Sequence, residues 1–249
     1  MSPLATYALR LGDDSLILGQ RLGEWCGHAP ALEVDLSLAN VALDQVGQAT
    51  HFLGLAGALE GEGRDGDALA FRRDVMDFTN CLLVEQPNGD FAQTIARLFL
   101  FSHYQELLFM ALMASKDAQL SAIAAKAVKE TAYHVTLASD WVVRLGDGTE
   151  ESRARMIAGL DWMWRFADEL FAMDDVDATA LEAGVGVDKA ALRAAWDARI
   201  DAVLADATLE RPASRRPVLG GRVGRHSEHL GHLLTEMQFL QRAYPGATW

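Results

Sequence analysis

Cysteine, proline, basic charge and long apolar runs are all scarce in this 249-residue sequence, which has only 2 Cys and 6 Pro. Cys26 and Cys81 cannot form a disulfide scaffold or a cysteine-only metal site, so they are read as reduced thiols in a cytoplasmic protein. The apolar runs are broken by charge or glycine well short of the ~20 residues a bilayer span needs, which excludes a membrane protein. Met1-Ser2-Pro3-Leu4-Ala5-Thr6-Tyr7 has no basic region leading into an apolar core, so no secretory signal is expected. Lys and Arg number 22 against 35 Asp and Glu, for a net charge of −13. Such a chain cannot displace counterions broadly from nucleic acid, and nucleic-acid binding is excluded. Sustained period-two alternation is missing too, and with it the signature of a sheet.

Half of the residues are hydrophobic, and they recur at three- and four-residue steps, the pattern of helices. Long helices are expected over about Leu4–Trp25, Asp35–Leu59 and Asp90–Ala114, with Asp90 as an N-cap, and, after a short turn at Ser115-Lys116-Asp117, from there to Leu145. A shorter helix is expected over Leu69–Thr79. Thr149 caps a fifth long helix holding Trp162, Trp164 and Phe166. A short piece follows the acidic residues Asp174, Asp175 and Asp177, then a helix over Lys189–Ala207. The irregular stretch Arg211–Arg225 precedes a last helix ending at Pro245-Gly246. The prolines fall at breaks, not inside periodic segments. The expectation is an all-α chain, a four-helix bundle with additional helices, folded as one domain over residues 1–249.

Each apolar stripe is interrupted near its middle by a polar group. The first helix has Ser15. The second reads Leu38, Val41, Gln45, Gln48, Phe52, Leu55, Leu59. The third reads Ile95, Phe99, Ser102, Glu106, Phe109, Met113. The fourth reads Ala124, Val128, Thr131, His134, Ala138, Trp141, Leu145. A Ser, Thr or Gln can satisfy itself against nearby backbone, yet the repeated placement suggests a shared network. Di-iron carboxylate bundles use this layout, with a carboxylate on each of two helices and Glu-x-x-His on each of the other two. Gln45-Val46-Gly47-Gln48 and Thr131-Ala132-Tyr133-His134 keep the spacing and lose the chemistry. Of the six positions Ser15, Gln45, Gln48, Ser102, Thr131 and His134, only His134 is a good iron ligand. Glu106, one turn past Ser102, is the one residual carboxylate candidate, whereas Asp44 and Glu130 are rotated off the face. The reading is a metal-site shape with no metal site and no catalytic residue in this chain.

Five stretches together carry a family resemblance over essentially the whole chain. They are Leu9-Arg10-Leu11-Gly12-Asp13, Gln20-Arg21-Leu22-Gly23-Glu24-Trp25-Cys26-Gly27-His28-Ala29-Pro30, Leu43-Asp44-Gln45-Val46-Gly47-Gln48-Ala49, Leu83-Val84-Glu85-Gln86-Pro87-Asn88-Gly89-Asp90-Phe91-Ala92 and Glu228-His229-Leu230-Gly231-His232. The sequence resembles the PaaC-type structural subunits of the bacterial phenylacetyl-CoA ring 1,2-epoxidases, or phenylacetate-CoA oxygenases. The resemblance implies a ferritin-like fold and a non-catalytic role beside a di-iron sister subunit, PaaA. Where the sister carries Asp-Glu-x-Gly-His, this chain has Asp44-Gln45-Val46-Gly47-Gln48. Where it carries Lys-Glu-Glu-x-Phe-His, this chain has Lys129-Glu130-Thr131-Ala132-Tyr133-His134. The first-helix Glu of the sister falls on Ser15, and the third-helix position falls near Ser102.

The implied partners are PaaA and the other epoxidase subunits in a hetero-oligomer, with self-association when the chain is alone. Di-iron is expected in the partner, and NADPH, flavin and iron–sulfur in a separate reductase. No cofactor is expected here, since neither a Gly-rich dinucleotide loop nor a cysteine cluster is present. Trp141, Trp162, Trp164 and Trp196 are candidates for a partner face or for the chain's own core. The basic stretch Arg211, Arg215, Arg216, Arg222 and Arg225, with His226, His229 and His232, stands out in an acidic protein. Arg215, Arg216, Arg222, Arg225, His226 and His229 are candidates to contact the CoA phosphates of phenylacetyl-CoA or a partner, because guanidinium grips phosphate through a bidentate fork. The three-residue steps of the histidines drift around a helix, which speaks against zinc. Two other readings stay open: an active di-iron oxygenase with unusual ligands, and a stand-alone helical binding protein.

Overall fold

The computed structural model of the chain describes residues 2–213 and 216–247. Among the described residues ten α-helices follow in order: α1 (Pro3–Gly23), α2 (Leu32–Glu60), α3 (Gly66–Phe71), α4 (Leu82–Glu85), α5 (Phe91–Leu112), α6 (Ala118–Gly146), α7 (Glu150–Trp164), α8 (Asp175–Glu182), α9 (Lys189–Asp206) and α10 (Glu228–Ala243). Short 3-10 turns span Val75–Asp77, Ala167–Leu170 and Gly221–Val223. No strand occurs among the described residues, so the architecture is all-α, as a ferritin-like bundle with additional helices requires. The chain divides into two compact units, Met1–Gln86 with Gly220–Trp249, and Pro87–Leu219.

In the first unit α1 and α2 pack against each other. Ser2 opens α1, its hydroxyl accepting from the Ala5 N–H at 3.2 Å, with Pro3 in the first turn. Two glycines bring the helices close. A Cβ on Gly12 would stand 2.6 Å from the Leu53 side chain, and one on Gly19 would stand 3.2 Å from the Ala42 carbonyl. These crossings make the pair antiparallel and set Ser15 at a level between Gln45 and Leu53. α1 is buried almost all round from Tyr7 to Leu18, Arg10, Asp13 and Asp14 included. The helix expected over Leu69–Thr79 stops at Phe71. Beyond it the Arg73 guanidinium turns inward to Asp13, and Asp74 and Asp77 close a capping box around the 3-10 turn instead.

In the second unit α5 packs on α6, α7 and α9. Asp90 caps α5, accepting from the Gln93 N–H at 2.9 Å. Asp117 caps α6 through the N–H groups of Gln119 and Leu120, and Thr149 forms a capping box with Ser152 at α7. Phe166 lies beyond the end of α7. The core of this unit is aromatic. Trp196 on α9 is fully buried and donates its indole N–H to the Leu100 carbonyl of α5 at 3.0 Å. Its ring lies 5.6 Å from that of Trp164 and 5.3 Å from that of Phe171, and Phe171 meets Tyr104 edge-on at 5.5 Å. Trp164 and Trp196 thus belong to the chain's own core. Trp141 packs on Phe91 at 5.0 Å, and Trp162 remains 38% exposed under the Arg165 guanidinium.

Replacing Trp196 by Ala is expected to lower the unfolding free energy by about 3–5 kcal/mol, measured by urea titration. Trp196→Phe should cost about 0.5–1.5 kcal/mol, because it removes the indole hydrogen bond to the Leu100 carbonyl, which keeps its helical donor.

Candidate functional site

All six positions that match a di-iron ligand set are buried: Ser15, Gln45 and Gln48 in the first unit, and Ser102, Thr131 and His134 in the second. The stripe along α2 faces inward as the periodicity requires, from Leu38 through Val41, Gln45, Gln48 and Phe52 to Leu55, while Leu59 is half-exposed. On α6 the buried line runs through Ala124, Thr131, His134 and Ala138 to Val142, with Trp141 at its border. Thr131 bonds back to the carbonyls of Ala127 and Val128 at 3.1 and 3.2 Å. The Ser102 hydroxyl leans on the Phe99 carbonyl at 3.4 Å. These are the local, self-satisfying bonds open to short hydroxyl side chains in helices.

The donor set does not fit a pair of iron ions. The first unit offers one hydroxyl and two neutral amides; the second offers two hydroxyls and one imidazole. Bridging carboxylates that would balance two divalent charges are missing from these positions. Glu106 does not supply one, because its carboxylate pairs with Arg199 of α9. Among the described residues no three His, Cys, Asp or Glu side chains are grouped to hold a metal.

Buried charge is instead concentrated elsewhere in the first unit, around the segment 78–86. Asp13 accepts from both terminal nitrogens of Arg73 and from the backbone N–H and hydroxyl of Thr79, each at 2.9 Å. Its neighbour Asp14 accepts from the Cys81 N–H at 2.7 Å and from Arg222 at 3.0 and 2.7 Å. Arg222 also donates to the Thr79 carbonyl. Glu85 is fully buried and accepts four hydrogen bonds: from Asn80, from His226 at 2.6 Å, and from the N–H and hydroxyl of Ser227. Arg21 spans the backbone carbonyls of Glu85 and His229. A Cβ on Gly221 would stand 2.1 Å from the Asn80 carbonyl, so glycine alone lets the 3-10 turn at Gly221–Val223 seat here.

His226 is held between two acceptors, the Glu85 carboxylate at Nδ1 and the Phe78 carbonyl at Nε2, 2.8 Å away. Two acceptors favour a ring that donates from both nitrogens, the imidazolium form. Burial alone opposes that charge, but the hydrogen bond to Glu85 and its negative charge outweigh it and raise the pKa. The second unit holds an opposite case. His103 on α5 is buried with Ser139 at Nε2, 3.0 Å away, and its Nδ1 has no partner. Burial, aided by the nearby Arg199 charge, lowers its pKa to about 4 and keeps it neutral.

The candidates expected to meet CoA or a partner fall into several places. Arg222 and His226 are committed to Asp14 and Glu85, an internal use different from the phosphate contact expected of them. His229 is half-buried, its carbonyl taken by Arg21. Arg225 is exposed in the first unit, and Arg216 is exposed in the second. Arg215 lies outside the described residues. Arg211 pairs with Asp197 and Asp201 and lies over the Trp164 ring. The sequence reading missed Asp13, Asp14, Arg73, Asn80 and Glu85 as a unit. Its available signal was two adjacent acids in the middle of an otherwise apolar helix, flanked by Arg10 and Arg21.

The all-helical architecture is that of a ferritin-like bundle with additional helices. The family model described as "Phenylacetic acid catabolic protein" matches residues 1–249, and the chain belongs to that family. It is 52% identical over 249 residues, all of both chains, to a protein of Escherichia coli (strain K12) named as one of the subunits of 1,2-phenylacetyl-CoA epoxidase.

Arg222→Leu leaves the Asp14 carboxylate buried without its main counter-charge and is expected to cost about 3–5 kcal/mol in urea titration. The His226–Glu85 pair predicts a pH dependence. Its folded pKa lies above the unfolded value of about 6.5, so its stabilisation is complete below that pH and is lost as pH rises through the raised value. Urea titrations from about pH 6 to about pH 9 should show this decline, and His226→Gln should remove that component of it.

Proposed function

We propose that this chain is the non-catalytic structural subunit of a multicomponent phenylacetyl-CoA 1,2-epoxidase in aerobic phenylacetate catabolism. In this reading it pairs with a di-iron catalytic subunit of the PaaA type, in a hetero-oligomer, in the cytoplasm. The observation that carries the reading is the ligand chemistry: six buried positions keep the bundle's spacing and offer no carboxylate. The full-length similarity to a subunit of the Escherichia coli epoxidase supports it. No helix among the described residues is long and apolar enough to cross a membrane.

The chain then binds no iron of its own. Iron belongs to the catalytic partner, and NADPH, flavin and iron–sulfur to the reductase. What this chain contributes is a rigid helical body beside a partner whose ligands must be held closely in place. Of the arginines expected to meet CoA, Arg216 and Arg225 are exposed among the described residues and are available to border its phosphates.

The test is co-expression with the cognate PaaA-type subunit and metal analysis of each component. Stable co-purification is expected, with iron far below one atom per chain in this subunit alone. Near-stoichiometric iron here, or failure to bind the partner, overturns the reading. In the assembled enzyme Gln45→Ala should leave turnover within about twofold, since no chemistry runs through it. Arg225→Glu should raise KM for the CoA ester; an unchanged KM removes the phosphate contact from this residue.

A further inference from the structure

Helix α2 buries one apolar face and exposes another. Leu32, Leu36 and Leu43 are 71%, 57% and 69% exposed, and Val46 is 36% exposed. With half-buried Ala39 and exposed Thr50 between and beyond them, they recur at steps of four and three residues. That is the heptad spacing by which one helix packs along another.

Two glycines extend the same face. Gly47 and Gly54, seven residues apart, have no atom within 4 Å of the place a Cβ would occupy. Both lie inside the helix, where glycine is a poor former. Neither has the positive φ that would call for glycine. Gly12, Gly19 and Gly57 are crowded by neighbouring atoms of this chain, so internal packing accounts for them and not for Gly47 and Gly54. An open glycine on an exposed helix lets a second backbone come close.

Charge selects the occupant. The 29 residues of α2 include Glu33, Asp35, Asp44 and Glu60 and no Lys or Arg. A second copy would set acid against acid in a chain of net charge −13. From Leu32 to Gly54 the face runs about 33 Å at 1.5 Å per residue. At a helix width of about 10 Å that is roughly 330 Å², under half of the ~800 Å² per partner that a stable interface buries. The helix that covers it therefore belongs to a larger folded body.

We propose that the Leu32–Gly54 face of α2 docks a helix of a different protein subunit, one with apolar residues at heptad spacing and Lys or Arg on its flanks. This rests on the reading of the chain as one subunit of a hetero-oligomeric epoxidase. The probe is the set of purified remaining subunits of that epoxidase, with binding followed by calorimetry and size-exclusion chromatography.

The double variant Leu36→Glu/Leu43→Glu should weaken binding at least about 100-fold, with the circular dichroism of the free chain unchanged. Gly47→Leu should weaken it comparably while leaving the free chain at least as stable. Glu33→Lys should weaken it by about tenfold, and added salt should weaken the wild type. Met110→Glu, on an exposed position of α5, should leave it within about twofold. Equal binding by wild type and all three α2 variants overturns this inference and leaves the subunit reading intact. Wild-type chain that binds none of the subunits overturns both. A homodimer broken by Leu43→Glu, with heteromeric binding preserved, makes a second copy the occupant and also overturns it.

Discussion

Two adjacent carboxylates, Asp13 and Asp14, sit in the middle of a helix buried on nearly every side. A buried carboxylate with no counter-charge costs several kcal/mol, so the chain around them is constrained to bring donors inward. Arg73 and the two donors of Thr79 meet the first; Arg222 and the Cys81 N–H meet the second. These four donor residues lie on segments with little regular structure, which explains why 72–81 cannot continue as a helix. The same requirement draws in the 3-10 turn at Gly221–Val223, so sequence-distant segments become one unit. Two of the basic residues that stand out in the stretch 211–232, Arg222 and His226, are spent in this way.

The second unit also buries a charge pair, Lys189 with Asp177 at 2.8 Å. Its helix ends are closed by Asp90, Asp117, Thr149, Asp174 and Asp188, each accepting from backbone N–H groups of the first turn. Its interior is filled by large rings, with Arg193 stacked over Phe171 and Trp196 while pairing with Asp168 and Asp197. One of its buried histidines, His103, is held neutral, whereas the pKa of His226 is raised. The difference is the neighbour: a hydroxyl and a nearby arginine in one case, a carboxylate in the other.

Helices, caps and inward faces follow from local chemistry, and the sequence shows them well. Asp90 and Thr149 cap where expected, and the α2 stripe is buried from Leu38 to Leu55. Where the outcome depends on residues far apart in the chain, the sequence is silent. Nothing local in Arg72-Arg73-Asp74 says that Arg73 will turn to Asp13, sixty residues earlier. Likewise Arg222 reads as a solvent-facing phosphate ligand until Asp14, 208 residues away, is beside it. The stretches that carry the family resemblance include Arg10, Asp13, Arg21 and Glu85, all members of or neighbours to this network. Their signal was present as pattern, without the pairing that explains it.

The degenerate ligand positions obey the same rule about buried charge. A carboxylate at position 45, with another at 15 on the adjoining helix, would need a cation between them or would repel its neighbour in a medium of low dielectric. Ser and Gln have hydrogen-bonding capacity at the same places without net charge. Thr131 goes further and closes its hydroxyl on its own helix. Neutral side chains let the helices keep inward polar positions without burying net charge. In the Asp13–Asp14–Glu85 network the carboxylates stay buried because arginine, histidine and backbone donors balance them.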